Sequence, residues 1–219
     1  MSQNLDLKAI EQKAFRSVHQ DGLWDIYLGG LLLALSLTFA IPESGEGELT
    51  YIGLALLGVL VMFSIFQLGK KYITVPRMGQ VKFGAERQKR KATLAWVMSA
   101  FVLVTLGIFL FSLYVWNAAD SANPVELNLA PSLERAIVAA ISALIAGLST
   151  VVISYFKEFT RGYYIALLMG LGFFFTLWLD STVPMIVAGA LIFLPGLVIF
   201  VNFLRQHPLP PAEARHDHP

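Results

Sequence analysis

Cysteine is absent from this 219-residue chain, and charged residues are absent from most of its length. Without cysteine the protein has no disulfide, no thiolate metal site and no cysteine nucleophile. Asp, Glu, Lys and Arg together make up 14% of the residues, whereas 56% are hydrophobic, a high fraction for a soluble domain of this size. The scarcity and placement of charge therefore determine the class of the protein.

The uncharged residues are gathered into long apolar runs. The hydrocarbon core of a bilayer is about 30 Å thick, so about 20 residues of helix are needed to cross it. Six runs meet this length, at residues 24–41, 51–69, 92–116, 133–156, 163–179 and 184–204. The only Asp, Glu, Lys, Arg or His residues inside them are Asp25, Glu134 and Arg135, each close to the end of a run. We therefore predict an all-α membrane bundle of six transmembrane helices over residues 24–204.

The basic residues predict the orientation of this bundle. Every Lys and Arg except Arg135 lies on one side of the predicted spans, and the loop 70–91 holds half of them. Basic residues in short loops favour the cytoplasm, so both termini and this loop are predicted to be cytoplasmic. Trp and Tyr residues near both ends of the runs fit the aromatic belts of a bilayer. We expect a multi-pass protein of a bacterial cytoplasmic (inner) membrane.

The segments that flank the spans are short. In residues 1–23, Leu7, Ile10, Ala14 and Val18 recur at helical spacing between charged residues, which predicts a short amphipathic helix on the membrane surface. A docking helix for a partner is the alternative. This segment does not resemble a cleavable signal peptide. Residues 205–219, rich in proline, are predicted to be a flexible cytoplasmic tail.

Within the basic loop, residues 73–83 alternate apolar and polar positions around Pro76 and Gly79, which predicts an extended segment with a turn. Helix formers follow, so the third helix is expected to begin near Ala85 and to project from the membrane. In the last span, Pro195 leaves one carbonyl without its helical partner and predicts a kink.

Small residues predict where helices meet, because membrane helices gain no hydrophobic driving force from one another. The fourth and fifth runs carry such residues at four-residue spacing, at Ala139, Ala143, Gly147, Gly162, Ala166 and Gly170. We expect these two helices to pack centrally and the third, richer in Phe, Val and Leu, to face lipid. A homodimer contact is the alternative use of the same stripe.

Few residues are candidates for catalysis or for binding a ligand. Asp21 and Asp25, four positions apart, are predicted to share one helical face, where they could bind a cation or a proton. The simpler interpretation, which we favour, is that they are charges at the membrane interface that form ion pairs with Arg161 or Lys157. The C-terminal residues His207, His216, Asp217 and His218 are metal-ligand types, but a flexible tail disfavours a site. We predict no metal and no cofactor.

The basic loop is the remaining candidate. Its cations can attract anionic lipid headgroups or an acidic protein partner, and the candidate residues are Arg77, Lys82, Arg87, Lys89, Arg90 and Lys91. Nothing around them resembles a nucleic-acid-binding module. The hypothesis is a non-enzymatic membrane scaffold or accessory subunit. A small transporter for an uncharged solute or a lipid is the alternative, and an intramembrane enzyme would need Asp21, Asp25 and Asp180 to converge.

Overall fold

A computed structural model of the chain describes residues 21–41, 47–78, 85–119 and 131–208. Throughout these residues the regular structure is helical and no strand occurs, so the all-α class is confirmed. The helices are α1 (Leu23–Ser36, followed by a 3-10 turn Leu37–Phe39), α2 (Glu48–Leu68), α3 (Ala85–Ala119), α4 (Pro131–Phe156), α5 (Arg161–Leu179) and α6 (Val183–Gln206). The predicted amphipathic helix and most of the C-terminal tail lie outside the described residues.

Five of the helices are long and apolar enough to cross a membrane. These segments are Glu48–Arg77, Lys89–Ile108, Ser132–Phe156, Arg161–Leu179 and Val183–Gln206. The chain is therefore a multi-pass membrane protein. The apolar helix Leu23–Phe39 is shorter than these five, because α1 itself has 14 residues and its 3-10 turn adds 3. The count of six spans remains a prediction.

The chain after α2 differs from the sequence prediction. Residues 73–78 are helical, not extended: a π-helix, Gly69–Thr74, leads into a short α-helical turn, Val75–Met78. The Val75 N–H donates to the carbonyl of Lys70, five residues back. A proline leaves one backbone carbonyl without its N–H donor, and local π-helical adjustments can give that carbonyl another partner, which is consistent with a helix that continues past Pro76. Residues 69–78 thus form a helical continuation of α2, the α2 extension.

The core lies where α1, α5 and α6 meet. Leu32 of α1, Ile165 of α5 and Met185 and Ile192 of α6 are at most 2% exposed and belong to one apolar cluster. Helix α1 also packs against α2, and α4 packs along α5. By contrast, none of the described side chains of α3 is buried, and this helix touches the rest of the bundle mainly through α4.

Helices α1 and α6 approach each other so closely that glycine is required on both. A Cβ on Gly29 would lie 2.6 Å from the backbone N of Phe193, and one on Gly196 would lie 2.7 Å from Cβ of Asp25. Before α1, Gly22 adopts φ +81° with its Cα against Gly196 and Phe200. Helix α6 includes Pro195, the residue before this contact, within its length. A bend at that proline remains a prediction.

Candidate functional site: a charged cluster at one end of the bundle

Asp21 is fully buried directly before α1. Its Oδ1 accepts a hydrogen bond from the backbone N of Leu23 at 3.2 Å. Its Oδ2 accepts two more, from Nζ of Lys70 and from Oγ1 of Thr74, each at 2.7 Å. Because Gly22 has a left-handed conformation and caps α1, Asp21 lies outside the helix, not on its face. The prediction that both aspartates share one helical face was therefore wrong in this respect.

The α2 extension brings both side-chain partners to Asp21. Lys70 and Thr74 lie on one side of the π-helix, and Thr74 is buried together with the carboxylate. Gly69, beside them, packs against Leu23, where a Cβ would lie 3.1 Å from its methyl groups. Short π-helical segments are frequent at functional positions. Here the segment fixes the start of α1 against the end of α2.

Asp25 occupies the first turn of α1 and pairs with a different helix. Its Oδ2 lies 2.7 Å from Nη1 of Arg161, the first residue of α5. The side chain of Asp25 is 6% exposed and that of Arg161 is 33% exposed. Among the described residues neither carboxylate oxygen has a partner with hydrogen-bond geometry, so the contact is an ion pair held mainly by charge. Each aspartate is thus paired with a different cation, Asp21 with Lys70 and Asp25 with Arg161.

Lys157 lies in the turn between α4 and α5. Its ammonium is 4.2 Å from the centroid of the Trp24 ring, a cation–π contact with the first turn of α1. Burial lowers the pKa of Lys157 to about 8, and the nearby positive charges of Lys70 and Lys91 act in the same direction. Among the described residues no carboxylate forms an ion pair with Lys157. A partly buried ammonium therefore faces other cations at this end of the bundle.

The start of α3 reaches the same turn. Nη1 of Arg90 lies 3.4 Å from Oε1 of Glu158, whose backbone has φ +52°. Lys89, Arg90 and Lys91 belong to the basic start of this helix, and Arg90 and Lys91 are exposed. The positive charge of Lys91 also lowers the pKa of Lys157, so the basic start of α3 acts electrostatically on the α4–α5 turn.

Arg77, at the far end of the α2 extension, binds the C-terminus of α6. Its Nη1 donates to the carbonyls of Leu204 at 3.2 Å and His207 at 2.8 Å. Carbonyls in the last turn of a helix have no intrahelical partner, and a guanidinium is well suited to satisfy them. This predicted lipid- or partner-binding residue is therefore engaged within the chain itself.

The other predicted residues fall in different places. Lys82, His216, Asp217 and His218 lie outside the described residues, and Arg87 lies in α3. His207 stacks on Phe203 at 4.7 Å between centroids. No group of three metal-ligand side chains occurs in the parts of the chain that the structure describes.

The small-residue stripes lie at the α4–α5 contact. A Cβ on Gly147 would lie 3.3 Å from the carbonyl of Ala166, and one on Gly170 would lie 3.4 Å from the carbonyl of Ala143. Ala139 and Ala166 are buried, and Gly162 packs against Ser154. Backbone approach of this kind is typical of helix pairs in membranes.

Asp180 is distant from the charged cluster. It caps the C-terminus of α5, whereas Arg161 and its partner Asp25 lie at the N-terminus of the same helix. At about 1.5 Å per residue the 19 residues of α5 place the two ends roughly 28 Å apart. Asp21, Asp25 and Asp180 therefore do not meet in one cleft.

The pairing of Asp21 with Lys70 and Thr74 was missed by sequence reasoning. Its signal is the spacing of four residues between Lys70 and Thr74, directly after an apolar run. That spacing predicts a shared helical face, but Pro76 directed the interpretation toward an extended segment.

The fold and the cluster define an α-helical, multi-pass membrane protein whose helices are joined at one end by ion pairs. No protein-family model, no curated protein and no solved structure matches the chain.

Proposed function

We propose that this protein is a six-span, non-enzymatic membrane scaffold or accessory subunit with both termini in the cytoplasm. In this orientation the charged cluster lies at the inner leaflet of a cytoplasmic membrane. The distribution of cations supports the orientation, because the described Lys and Arg residues gather at one end of the bundle and Arg135, in the first turns of α4, lies at the other. Helix α1 with its 3-10 turn is near the lower limit of about 17 residues for a span.

The inner end is proposed to bind anionic lipid headgroups. The single observation that carries this is the basic start of α3: Lys89, Arg90 and Lys91 belong to a helix that packs little against its neighbours. Each basic residue near an anionic membrane surface contributes about 1 kcal/mol of attraction. Lys70 and Arg77, by contrast, stabilise the bundle itself, so the membrane-facing role falls to α3 and the α4–α5 turn.

The packing between α1, α5 and α6 favours a scaffold over the transporter hypothesis. Leu32, Met185 and Ile192 fill this contact with buried apolar side chains. A path for a polar solute through these helices would need polar side chains in their place. The separation of Asp180 from the two paired aspartates likewise speaks against an intramembrane enzyme.

The first test concerns topology. The natural chain contains no cysteine, so each single-cysteine variant carries one thiol that can be labelled. Single substitutions Lys91→Cys and Leu49→Cys place thiols at exposed positions near opposite ends of the bundle. A membrane-impermeant thiol reagent applied to intact cells should label Leu49→Cys and leave Lys91→Cys unlabelled until the membrane is opened. The reverse pattern would overturn the orientation.

Lipid binding is tested by the lipid that the purified protein retains. We expect the wild-type protein to retain phosphatidylglycerol over phosphatidylcholine, and the triple variant Lys89→Gln, Arg90→Gln, Lys91→Gln to lose most of this preference. Arg135→Gln, which removes one positive charge at the opposite end, is the control for charge alone. A wild-type protein that retains both lipids equally would refute the proposed function.

A further inference from the structure

We infer that the α2 extension couples the start of α1 to the end of α6, so that release of one contact loosens the other. At one end the extension holds Asp21, whose Oδ2 lies 2.7 Å from Nζ of Lys70 and 2.7 Å from Oγ1 of Thr74. At the other end Nη1 of Arg77 donates to the carbonyl of His207 at 2.8 Å. The extension is thus a link with one contact at each of its ends.

The three side chains that make these contacts belong to one short helical element. Lys70, Thr74 and Arg77 follow one another at spacings of four and three residues, which are the spacings of neighbours on one side of a helix. The backbone that carries them is continuous, because the π-helix Gly69–Thr74 passes directly into the turn Val75–Met78. Rigid secondary elements transmit coupling between sites, so a displacement at Thr74 is passed to Arg77.

Burial gives the contact at Asp21 two discrete states. Asp21 is fully buried and Thr74 is 1% exposed, so water does not reach the carboxylate while the helices stay in place. A buried carboxylate without its cation is strongly unfavourable. The contact is therefore either complete, or the α2 extension has moved away from the start of α1. An element with two such arrangements is what coupling between distant sites requires.

The end of α6 is where release of the link is expressed. The N–H of His207 donates to the carbonyl of Phe203 at 3.0 Å, and the His207 ring stacks on that of Phe203. Helix ends open locally at little cost in free energy, so loss of the Arg77 contact appears first in this turn. Release also frees the Arg77 guanidinium for the membrane surface. That consequence rests on the proposed function, whereas the coupling itself does not.

The test is hydrogen exchange, followed by mass spectrometry, of the full chain in an uncharged detergent without added lipid. Asp21→Asn should speed exchange at the end of α6 about fivefold, the lower range of coupling between sites. Thr74→Val keeps the ion pair and should have a smaller effect at the same place, and it serves as the test if Asp21→Asn does not fold. Asp25→Asn is the matched control, because it breaks the ion pair with Arg161 without touching the α2 extension. It should leave exchange at the end of α6 unchanged.

A direct contact between α1 and α6 at Gly22 is a second route that the experiment must separate from the link. In an Arg77→Ala background, Asp21→Asn should add nothing further to exchange at the end of α6. Reciprocity requires that Arg77→Ala in turn speed exchange at the start of α1, where the N–H of Leu23 donates to Oδ1 of Asp21. Additive effects of the two substitutions would assign the coupling to the α1–α6 contact and overturn the inference, as would unchanged exchange at the end of α6 in Asp21→Asn. Because no lipid is present, neither result bears on the proposed lipid binding.

Discussion

Asp21 and Lys70, 49 positions apart in the chain, form an ion pair of 2.7 Å in which the carboxylate is fully buried. The pair joins the residue before α1 to the helical extension of α2. Thr74 donates to the same carboxylate oxygen, so the buried Asp21 side chain binds two residues of the α2 extension. A buried charge is expensive without its partner, and the two helices are therefore linked in stability.

Removal of the carboxylate should destabilise the protein strongly. Asp21→Ala removes the carboxylate that pairs with the largely buried ammonium of Lys70 and that accepts from Thr74, and a loss of about 3 kcal/mol in the free energy of unfolding is expected. The measurement is thermal or denaturant unfolding in detergent. Thr74→Val removes only one neutral donor and should have a smaller effect, about 1 kcal/mol.

A double-mutant cycle separates the pair from its surroundings. Asp21→Ala combined with Lys70→Met removes both charges of the pair and should be more stable than Asp21→Ala alone, since the buried ammonium is removed together with its carboxylate. Lys71→Met, at an exposed neighbouring position, controls for the loss of a cation. Additive effects of the two substitutions would show that Asp21 and Lys70 do not stabilise each other.

The α1–α6 contact predicts a contrast between two glycines. Gly196→Ala would bring a Cβ to 2.7 Å from Cβ of Asp25 and 2.8 Å from N of Ile26, so the helices must separate at a cost of about 1–3 kcal/mol. At Gly107 of α3 the position that a Cβ would occupy has no other atom within 4 Å, and Gly107→Ala should be neutral or slightly stabilising. Thermal unfolding of both variants in the same detergent gives the comparison. Similar melting temperatures for the two would contradict the close α1–α6 contact.

Apolar run length was sufficient to predict the helical class and five helices long enough to cross a membrane, because the required length follows directly from the thickness of a bilayer. The sequence analysis named Arg161 as a possible ion-pair partner of Asp25, and the two residues form an ion pair in the structure. Two features could not be predicted from the sequence, because each depends on tertiary contacts. The π-helix at Gly69–Thr74 depends on tertiary support for a chain that contains Pro76, and the contact of Lys157 with Trp24 depends on how α1 meets the α4–α5 turn.

Arg77 should protect the end of α6. Because its guanidinium binds the carbonyls of Leu204 and His207, Arg77→Ala should fray the last turn and speed amide exchange of the C-terminal residues of α6. Hydrogen exchange followed by mass spectrometry reports this locally. Arg205→Ala, an exposed change within the same turn, is the control. Unchanged exchange at the end of α6 in Arg77→Ala would show that the contact contributes little.

Lys157 should make stability depend on pH. Its pKa in the folded protein is lowered to about 8 from the ordinary 10.5, so between these values the unfolded state binds more protons than the folded state. The free energy of unfolding contributed by this group therefore rises with pH from about 8 to 10.5, and below pH 8 the full penalty for the charge is present. Relative to the wild-type protein, Lys157→Gln should be most favoured near pH 7 and should lose that advantage as the pH rises toward 10.5.

Unfolding in an uncharged detergent, measured across this pH range, checks the difference between the two curves. The same replacement at exposed Lys71 controls for the removal of one positive charge. Parallel curves for the two proteins without lipid would mean that Lys157 is not the source of the effect.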